Sequence, residues 1–311
     1  MHGAALITGA TGFAGGHLVD LLVGSGVEVW GLAHRGGAPP RPRDGLRWAT
    51  VDVLDRTAVR DVLEQARPAA IYHCAGHADV HEAWKAPARA LRLNVLGTHT
   101  LLEACREVQL TCRVVVTGSA MIYAQRTAPI AEDDPIAPNH PYGVSKLAQE
   151  MTAAASGLPV LLARPFNHAG PRQSPAYVSS AFAQQIARIE AGLAPPVLRV
   201  GNLDAQRDIT DVRDTVRAYR ALIDSGTPLR PYNVCSGRGY RMRDLLDALL
   251  SHARVRVSVE VDPERLRPSD NPVVVGNHAR LSADTGWQPR IPIERTLADL
   301  LEYWRSVTPA A

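Results

Sequence analysis

Short apolar runs alternate along the first half of the chain with longer stretches whose apolar positions recur at helical spacing. "AALITGA", "VEVWGLA", "AAIYHCAG" and "RVVVTGSA" read as strands, and "GGHLVDLLVGSG", "TAVRDVLEQA" and "NVLGTHTLLEACREV" read as the amphipathic helices between them. Such alternation predicts an α/β fold, a parallel sheet with helices on both faces. The continuous "VVV" suits a strand buried on both sides. After about residue 165 the rhythm loosens. Proline and glycine become frequent in "RPFNHAGPRQSP", "AGLAPPVLRVGN" and "DPERLRPSDNP", with helical patterns at 176–191, 211–224 and 241–252. We therefore expect residues 1–165 to form one unit and 166–311 to form mainly a smaller α/β region over the carboxyl ends of the sheet, with segments returning to the first unit.

Composition narrows the function. A chain of 311 residues with 46% hydrophobic content can bury a full core. The net charge of +3 arises from 34 basic and 31 acidic residues spread along the chain, which argues against nucleic acid or a membrane as the main partner. Cys74, Cys105, Cys112 and Cys235 lack metal-type spacing, so no metal site is expected. Strand code begins within five residues of Met1, so no signal peptide is expected, and the reading is a reduced, cytoplasmic protein. No apolar run reaches the ~20 residues a membrane helix needs. Among the 34 basic residues only Lys85 and Lys146 are lysines. An arginine-writing chain that keeps a lysine at 146 draws attention to it, because a guanidinium cannot readily replace an ammonium in proton-transfer chemistry.

The segment "LITGATGFAGGHLVDLL" sets Gly9, Gly12 and Gly15 between the first strand and the first helix. Glycines at this spacing permit a tight turn and close approach of the backbone to a pyrophosphate at the helix amino terminus. Thr11, Phe13 and Ala14 lie among them and count as cofactor contacts, as do Ala75 and Gly76 after "AAIYHC". The second strand ends in Ala33, His34 and Arg35, offering no carboxylate to a ribose diol and an arginine suited to a 2′-phosphate. That favours NADP(H) over NAD(H), with Arg35 as the main contact and His34 beside it. Asp52, followed by Val53, could accept from the adenine amino group, although a helix-capping role for Asp52 or Asp55 is an open alternative.

"PYGVSK" places Tyr142 and Lys146 on one face of a helix. An ammonium beside a phenol is expected to lower its pKa toward the working range, making the tyrosine a usable acid or base. Ser119, ending "VVVTGS", could hydrogen-bond the same substrate oxygen.

At this point the chain resembles the extended short-chain dehydrogenase/reductases, the nucleotide-sugar epimerase, dehydratase and reductase group. The likeness runs through TGxxGxxG at 8–15, "NVLGT" at 94–98, Ser119, YxxxK at 142–146, "RPFNHAGP" at 164–171 and "RPSD" at 267–270. It implies a Rossmann-type sheet and a hydride passing between the nicotinamide and a hexose carbon. Tyr142 would be the acid or base, helped by Ser119, and Lys146 would hold the nicotinamide ribose. Pro165 and His168 would lie near the nicotinamide. Family dehydratases resemble one another in a glutamate two residues before the tyrosine of the serine strand. Here that tyrosine is Tyr123, the glutamate position is Met121, and Ala120 stands where some carry aspartate. A thioether cannot shuttle a proton, so elimination of water is not expected.

The carboxyl-terminal third is similar to the guanosine-nucleotide branch, the GDP-mannose dehydratases and GDP-4-keto-6-deoxy-mannose reductases, and "GNLDAQRDITDVRD" and "RLRPSDNPVVVG" lean toward the reductases. The implied substrate is a GDP-linked sugar and the implied reaction is NADPH-dependent reduction of its C4 ketone. By the same resemblance Asn167 would bind the diphosphate, Arg207 and Arg267 would clamp phosphate or ribose, and Asp270 would accept from ribose or base. Arg188 and Asn202 are further substrate candidates. "YAQ" and "CAGHADV" depart from the family pattern where the hexose would lie. A nucleotide-sugar 4-epimerase is the alternative enzyme, ahead of a GDP-mannose 4,6-dehydratase, and a cofactor-sensing regulator is the alternative outside catalysis. A homodimer is expected through helices near 95–108 and 143–156.

Overall fold

A computed structural model describes residues 3–34, 43–265 and 271–309. Seven strands, β1 (Ala5–Thr8), β2 (Val29–Ala33), β3 (Leu46–Thr50), β4 (Ala70–His73), β5 (Arg113–Thr117), β6 (Val160–Pro165) and β10 (Pro231–Val234), form a parallel sheet in the order β10-β6-β5-β4-β1-β2-β3. The order reverses between β1 and β4, and open α/β sheets bind ligands at the carboxyl ends flanking such a point.

The sheet is apolar on both faces because both are covered. On one side α1 (Phe13–Gly24) and α8 (Val212–Ser225) pack Leu18, Leu22, Val216, Tyr219 and Leu222 onto Ala5, Ile7, Tyr72 and Val115. On the other, α2 (Arg56–Ala66), α5 (Gly97–Glu107) and α6 (Pro141–Ala154) enclose Val59, Leu63, Leu101 and Ala153 with Leu6, Ile71, Val114 and Val116. Val114, Val115 and Val116 are all fully buried, as their unbroken apolar run predicts. Two short helices, α3 (Val80–Lys85) and α4 (Pro87–Leu91), lead into a π-helical turn over Arg92–Leu96 that sequence periodicity does not announce.

The second half contributes another core. The strand β9 (Gln206–Asp211) pairs with β7 (Asn167–Ala169), β11 (Gly239–Arg241) and β13 (Val273–Val274), and β8 (Val197–Val200) pairs with β12 (Ser258–Val261). Helices α7 (Val178–Glu190), α9 (Met242–Ser251) and α11 (Ile293–Val307) close over them around Phe182, Ile186, Leu246, Leu249 and Leu297. A last helix, α10 (Ala279–Thr285), packs Leu281 back into the core beside α1 and α8. Among the described residues no helix is long and apolar enough to cross a membrane, and no cluster of side chains could hold a metal ion.

Candidate active site

The turn after β1 is built for close approach. Gly9 takes a left-handed backbone (φ 66°), and a methyl group there would sit 2.8 Å from the Ala75 nitrogen. At Gly15 the added carbon would lie 2.1 Å from the Gly9 carbonyl oxygen, so the first turn of α1 rests directly on the loop. Gly12 is the N-cap of α1 and supplies no capping side chain, and its first turn contains no acidic residue. Free amide groups at a helix amino terminus attract an anion, and this cradle fits the pyrophosphate of a dinucleotide. Thr11 and Phe13 flank the turn and Ala14 lies within its first helical residues.

His34 follows β2 and is exposed to solvent, and Arg35 lies outside the described residues. The Asp52 carboxylate accepts from the Leu54 amide at 2.9 Å, whereas Asp55 is the residue that caps α2, accepting from Ala58. Of the two capping alternatives the structure selects Asp55. Val53, next to Asp52, lines the approach to Gly97.

After β4, the Ala75 amide donates to the Thr8 hydroxyl at 3.1 Å. A methyl group at Gly76 would meet the Asn94 amide oxygen at 2.6 Å and Lys146 Nζ at 3.7 Å, so this loop, the wide turn and α6 converge. Asn94, fully buried in the π-helical turn, binds the His77 main chain on one side and donates to Ser145 Oγ at 2.8 Å on the other.

Ser119, Tyr142 and Lys146 come together at the carboxyl ends of β4 and β5. Ser119 follows β5, and its hydroxyl accepts from the Met121 amide at 3.1 Å while also interacting with the Tyr142 phenol. Lys146 Nζ donates to the Thr117 carbonyl at 2.8 Å and stands 6.0 Å from the Tyr142 ring centre. Both side chains are buried, with 8% and 5% exposure for Tyr142 and Lys146. Burial pushes the phenol up to about 12, and the interaction with Ser119 only partly opposes it. This corrects the expectation of a phenol made more acidic by its lysine: desolvation dominates, and Tyr177 adds to it. Burial also lowers Lys146 to about 8.

Met121 packs with Tyr142, Ala83 and Ala90 in a small apolar cluster, so the wall beside the phenol is hydrocarbon and thioether. The nearby carboxylates are committed elsewhere. Glu150 forms a two-pronged pair with Arg164 at 2.5 and 2.9 Å, and Glu132 accepts from the Asn233 amide. Arg164 also donates to the Tyr123 hydroxyl, which donates to Asn233 at 2.7 Å.

From the second half, Pro165 ends β6, and His168 on β7 stacks on Phe13 with ring centres 5.6 Å apart. His168 Nδ1 lies 3.1 Å from the Phe166 carbonyl, an acceptor only, so that nitrogen carries the proton. Asn167 is exposed on β7. Arg207 is half-buried on β9, donating to the Gln206 and Pro272 carbonyls. Asn202 turns its side chain to the Asp204 amide. Arg188 is exposed in the last turn of α7. Arg267 and Asp270 lie outside the described residues.

Three features escape sequence reading. Tyr177, before α7, reaches across to the Ala78 carbonyl at 3.3 Å and so links the two halves near Tyr142. Buried Asp208 accepts from the Ser236 amide and hydroxyl and from the Gly237 and Gly276 amides, stitching together the loops beside Arg207. His73, Thr98 and Gln149 form a buried polar chain behind Lys146. A histidine inside the apolar run "AAIYHC" is the one signal that could have pointed to it.

Known proteins resemble the chain in sequence and in fold. The chain is 37% identical over 307 residues to a GDP-6-deoxy-D-mannose reductase of Pseudomonas aeruginosa, covering 96% of each. The structure of RMD from Pseudomonas aeruginosa complexed with NADPH superposes with a TM-score of 0.85 at 34% identity, covering 98% of this chain and 100% of that one. A Thermus thermophilus UDP-glucose 4-epimerase in complex with NAD also superposes with a TM-score of 0.85, at 28% identity over 98% of this chain and 100% of that one. The profile of the family described as GDP-mannose 4,6 dehydratase matches residues 6–300. With the glycine turn, the serine strand and the YxxxK helix in one cleft, the chain belongs to that family, within the extended short-chain dehydrogenase/reductases.

Proposed function

We propose that this protein reduces the C4 ketone of GDP-4-keto-6-deoxy-D-mannose with NADPH, yielding GDP-D-rhamnose. When bound, the nicotinamide supplies the hydride. Tyr142 gives its proton to the sugar oxygen as the carbonyl is reduced, and Ser119 orients that oxygen. Lys146 binds the nicotinamide ribose and offsets the charge left on the phenolate until solvent reprotonates it. The phenol's raised pKa suits this direction, because an acid must be protonated when the substrate arrives. Glycines 9, 12 and 15 and the amino terminus of α1 hold the pyrophosphate, and Arg35 selects the 2′-phosphate. Asn167, Arg207, Arg267 and Asp270 hold the GDP moiety, with Asn202 and Arg188 further out.

The observation that carries the choice of reaction is Met121 packed on Tyr142. Expelling water would need a second proton shuttle there, and a thioether provides none. The likeness to the Pseudomonas aeruginosa reductase supports the same substrate class. The test is to follow NADPH absorbance with GDP-mannose and, separately, with the product of a GDP-mannose dehydratase. Consumption with the keto sugar alone supports the reading, and loss of water from GDP-mannose refutes it. A 4-epimerase is the second reading, favoured by the superposition on the Thermus thermophilus enzyme. It predicts sugar-nucleotide conversion with no net NADPH use.

The four cysteines are all unpaired thiols, which supports work in a reducing cytoplasm. Trp84, Leu91, Leu96, Val144 and Met151 expose large apolar surfaces along α3 to α6, which supports a homodimer joined there.

A further inference from the structure

Lys146 is held more closely than a ribose contact requires. One Nζ proton goes to the Thr117 carbonyl at 2.8 Å and a second to Gln149 Oε1 at 2.9 Å, and both acceptors are neutral. The third is left for the cofactor side of the cleft. Gln149 is fully buried, and its orientation follows from its other end, where Nε2 donates to Thr98 Oγ1 at 2.9 Å.

Donor and acceptor roles along the rest of the chain can be assigned by elimination. The Thr98 hydroxyl gives its proton to the Asn94 carbonyl at 2.7 Å, so toward Gln149 and His73 it can only accept. His73 Nε2, 2.8 Å away, therefore carries a hydrogen. Burial and the Lys146 charge keep the ring neutral, so Nδ1 is bare and accepts from the Thr8 hydroxyl at 2.7 Å. Thr8 in turn accepts from the Ala75 amide. A flipped Gln149 amide would turn its N–H groups onto the ammonium and set its oxygen against a Thr98 hydroxyl whose proton already goes to Asn94. The buried chain thus has one self-consistent arrangement, running from the glycine turn to the lysine.

We propose that Gln149 is a positioning residue for Lys146: its locked, neutral amide, anchored through Thr98, His73 and Thr8, aims the ammonium while leaving its charge uncompensated. The kinetic consequences rest on the catalytic reading given above; the geometric claim does not. A carboxylate at 149 would still accept from the lysine but would cancel its charge and could not donate to Thr98, and an apolar side chain would remove the second acceptor. The titratable groups facing Nζ are His73 and Cys74 from the end of β4, His77 in the loop that follows, and Tyr142 on α6 itself. Glu150, next on α6, is spent on Arg164.

The chain has only two lysines, so a protein labelled with ¹³C at lysine Cε gives two signals to titrate without cofactor or substrate. Lys146 should titrate near 8 in the parent. It should rise by about one pH unit or more in Gln149→Glu and fall by about one in Gln149→Met, while Lys85 stays fixed. In keto-sugar reduction kcat should drop about 10-fold in both variants with KM for NADPH changed less than ~3-fold. The alkaline limb of the rate profile should move up in the glutamate variant and down in the methionine variant, since reduction needs a protonated phenol and a charged lysine. Should Gln149→Met fail to fold, Thr98→Val replaces it and should also lower the Lys146 titration, with Thr98→Ser restoring it. Unchanged Lys146 titration in the folded variants overturns the proposal. Full turnover in Lys146→Met would instead defeat the catalytic reading and leave the titration result standing.

Discussion

His73 should make the protein sensitive to mild acid, by an amount the structure fixes. The ring is fully buried between the Thr8 and Thr98 hydroxyls, and burial, reinforced by the Lys146 charge, lowers its pKa from 6.5 to about 3. The unfolded chain takes up a proton on this residue near pH 6.5, while the folded protein refuses it until about pH 3. Between those values the unfolded state binds more protons, so stability present at pH 7 is lost as pH falls. A single withheld proton costs about 1.4 kcal/mol per pH unit, or about 2 kcal/mol between pH 7 and pH 5. Other histidines with lowered values, His17, His77, His140 and His168, act in the same direction. They are common to the parent and to His73→Gln, which removes the titrating ring and keeps an amide near Thr98. Urea unfolding of both proteins at pH 7, 6 and 5 isolates the residue. The parent should lose about 2 kcal/mol more than the variant over that range. Parallel losses in the two proteins would refute the assignment of a neutral, Nε2-protonated His73.

Tyr142→Phe keeps the apolar packing with Met121 and removes the proton donor, so kcat for keto-sugar reduction should fall by about 10²–10⁴-fold while NADPH binding, followed by fluorescence, changes little. Gly15→Ala forces a carbon to within 2.1 Å of the Gly9 oxygen, and its displacement of α1 should weaken NADPH binding by at least ~10-fold in the same titration. Arg164→Met strands the buried Glu150 carboxylate and should cost about 3–5 kcal/mol in urea unfolding, much of it recovered by adding Glu150→Gln.

Local patterns made the first half of the chain legible. The glycine spacing, the unbroken "VVV" and the four-residue interval between Tyr142 and Lys146 each state a backbone requirement within one short segment. The helices expected at 176–191, 211–224 and 241–252 occur as Val178–Glu190, Val212–Ser225 and Met242–Ser251, for the same reason. What could not be read depends on partners far apart in the chain. His73 meets Thr8 across 65 residues and Thr98 across 25, and Gln149 meets Thr98 across 51. The direction of the Tyr142 shift was missed for a related reason. Sequence places a lysine on the same helical face, but desolvation depends on Ala83, Ala90 and Met121 closing over the ring from other elements. The four hydrogen bonds that gather at Asp208 likewise come from loops that sequence leaves irregular.

The central claim is that a phenol walled by hydrocarbon delivers a proton while a hydride reaches C4 of the sugar. It is tested most directly by supplying NADPH deuterated on the transferring face together with the GDP-4-keto-6-deoxy sugar and locating the label by NMR. The account predicts one deuterium at C4 of a GDP-6-deoxyhexose for each cofactor oxidised. A C4 position free of label, or a sugar changed in configuration with the cofactor left reduced, would contradict it.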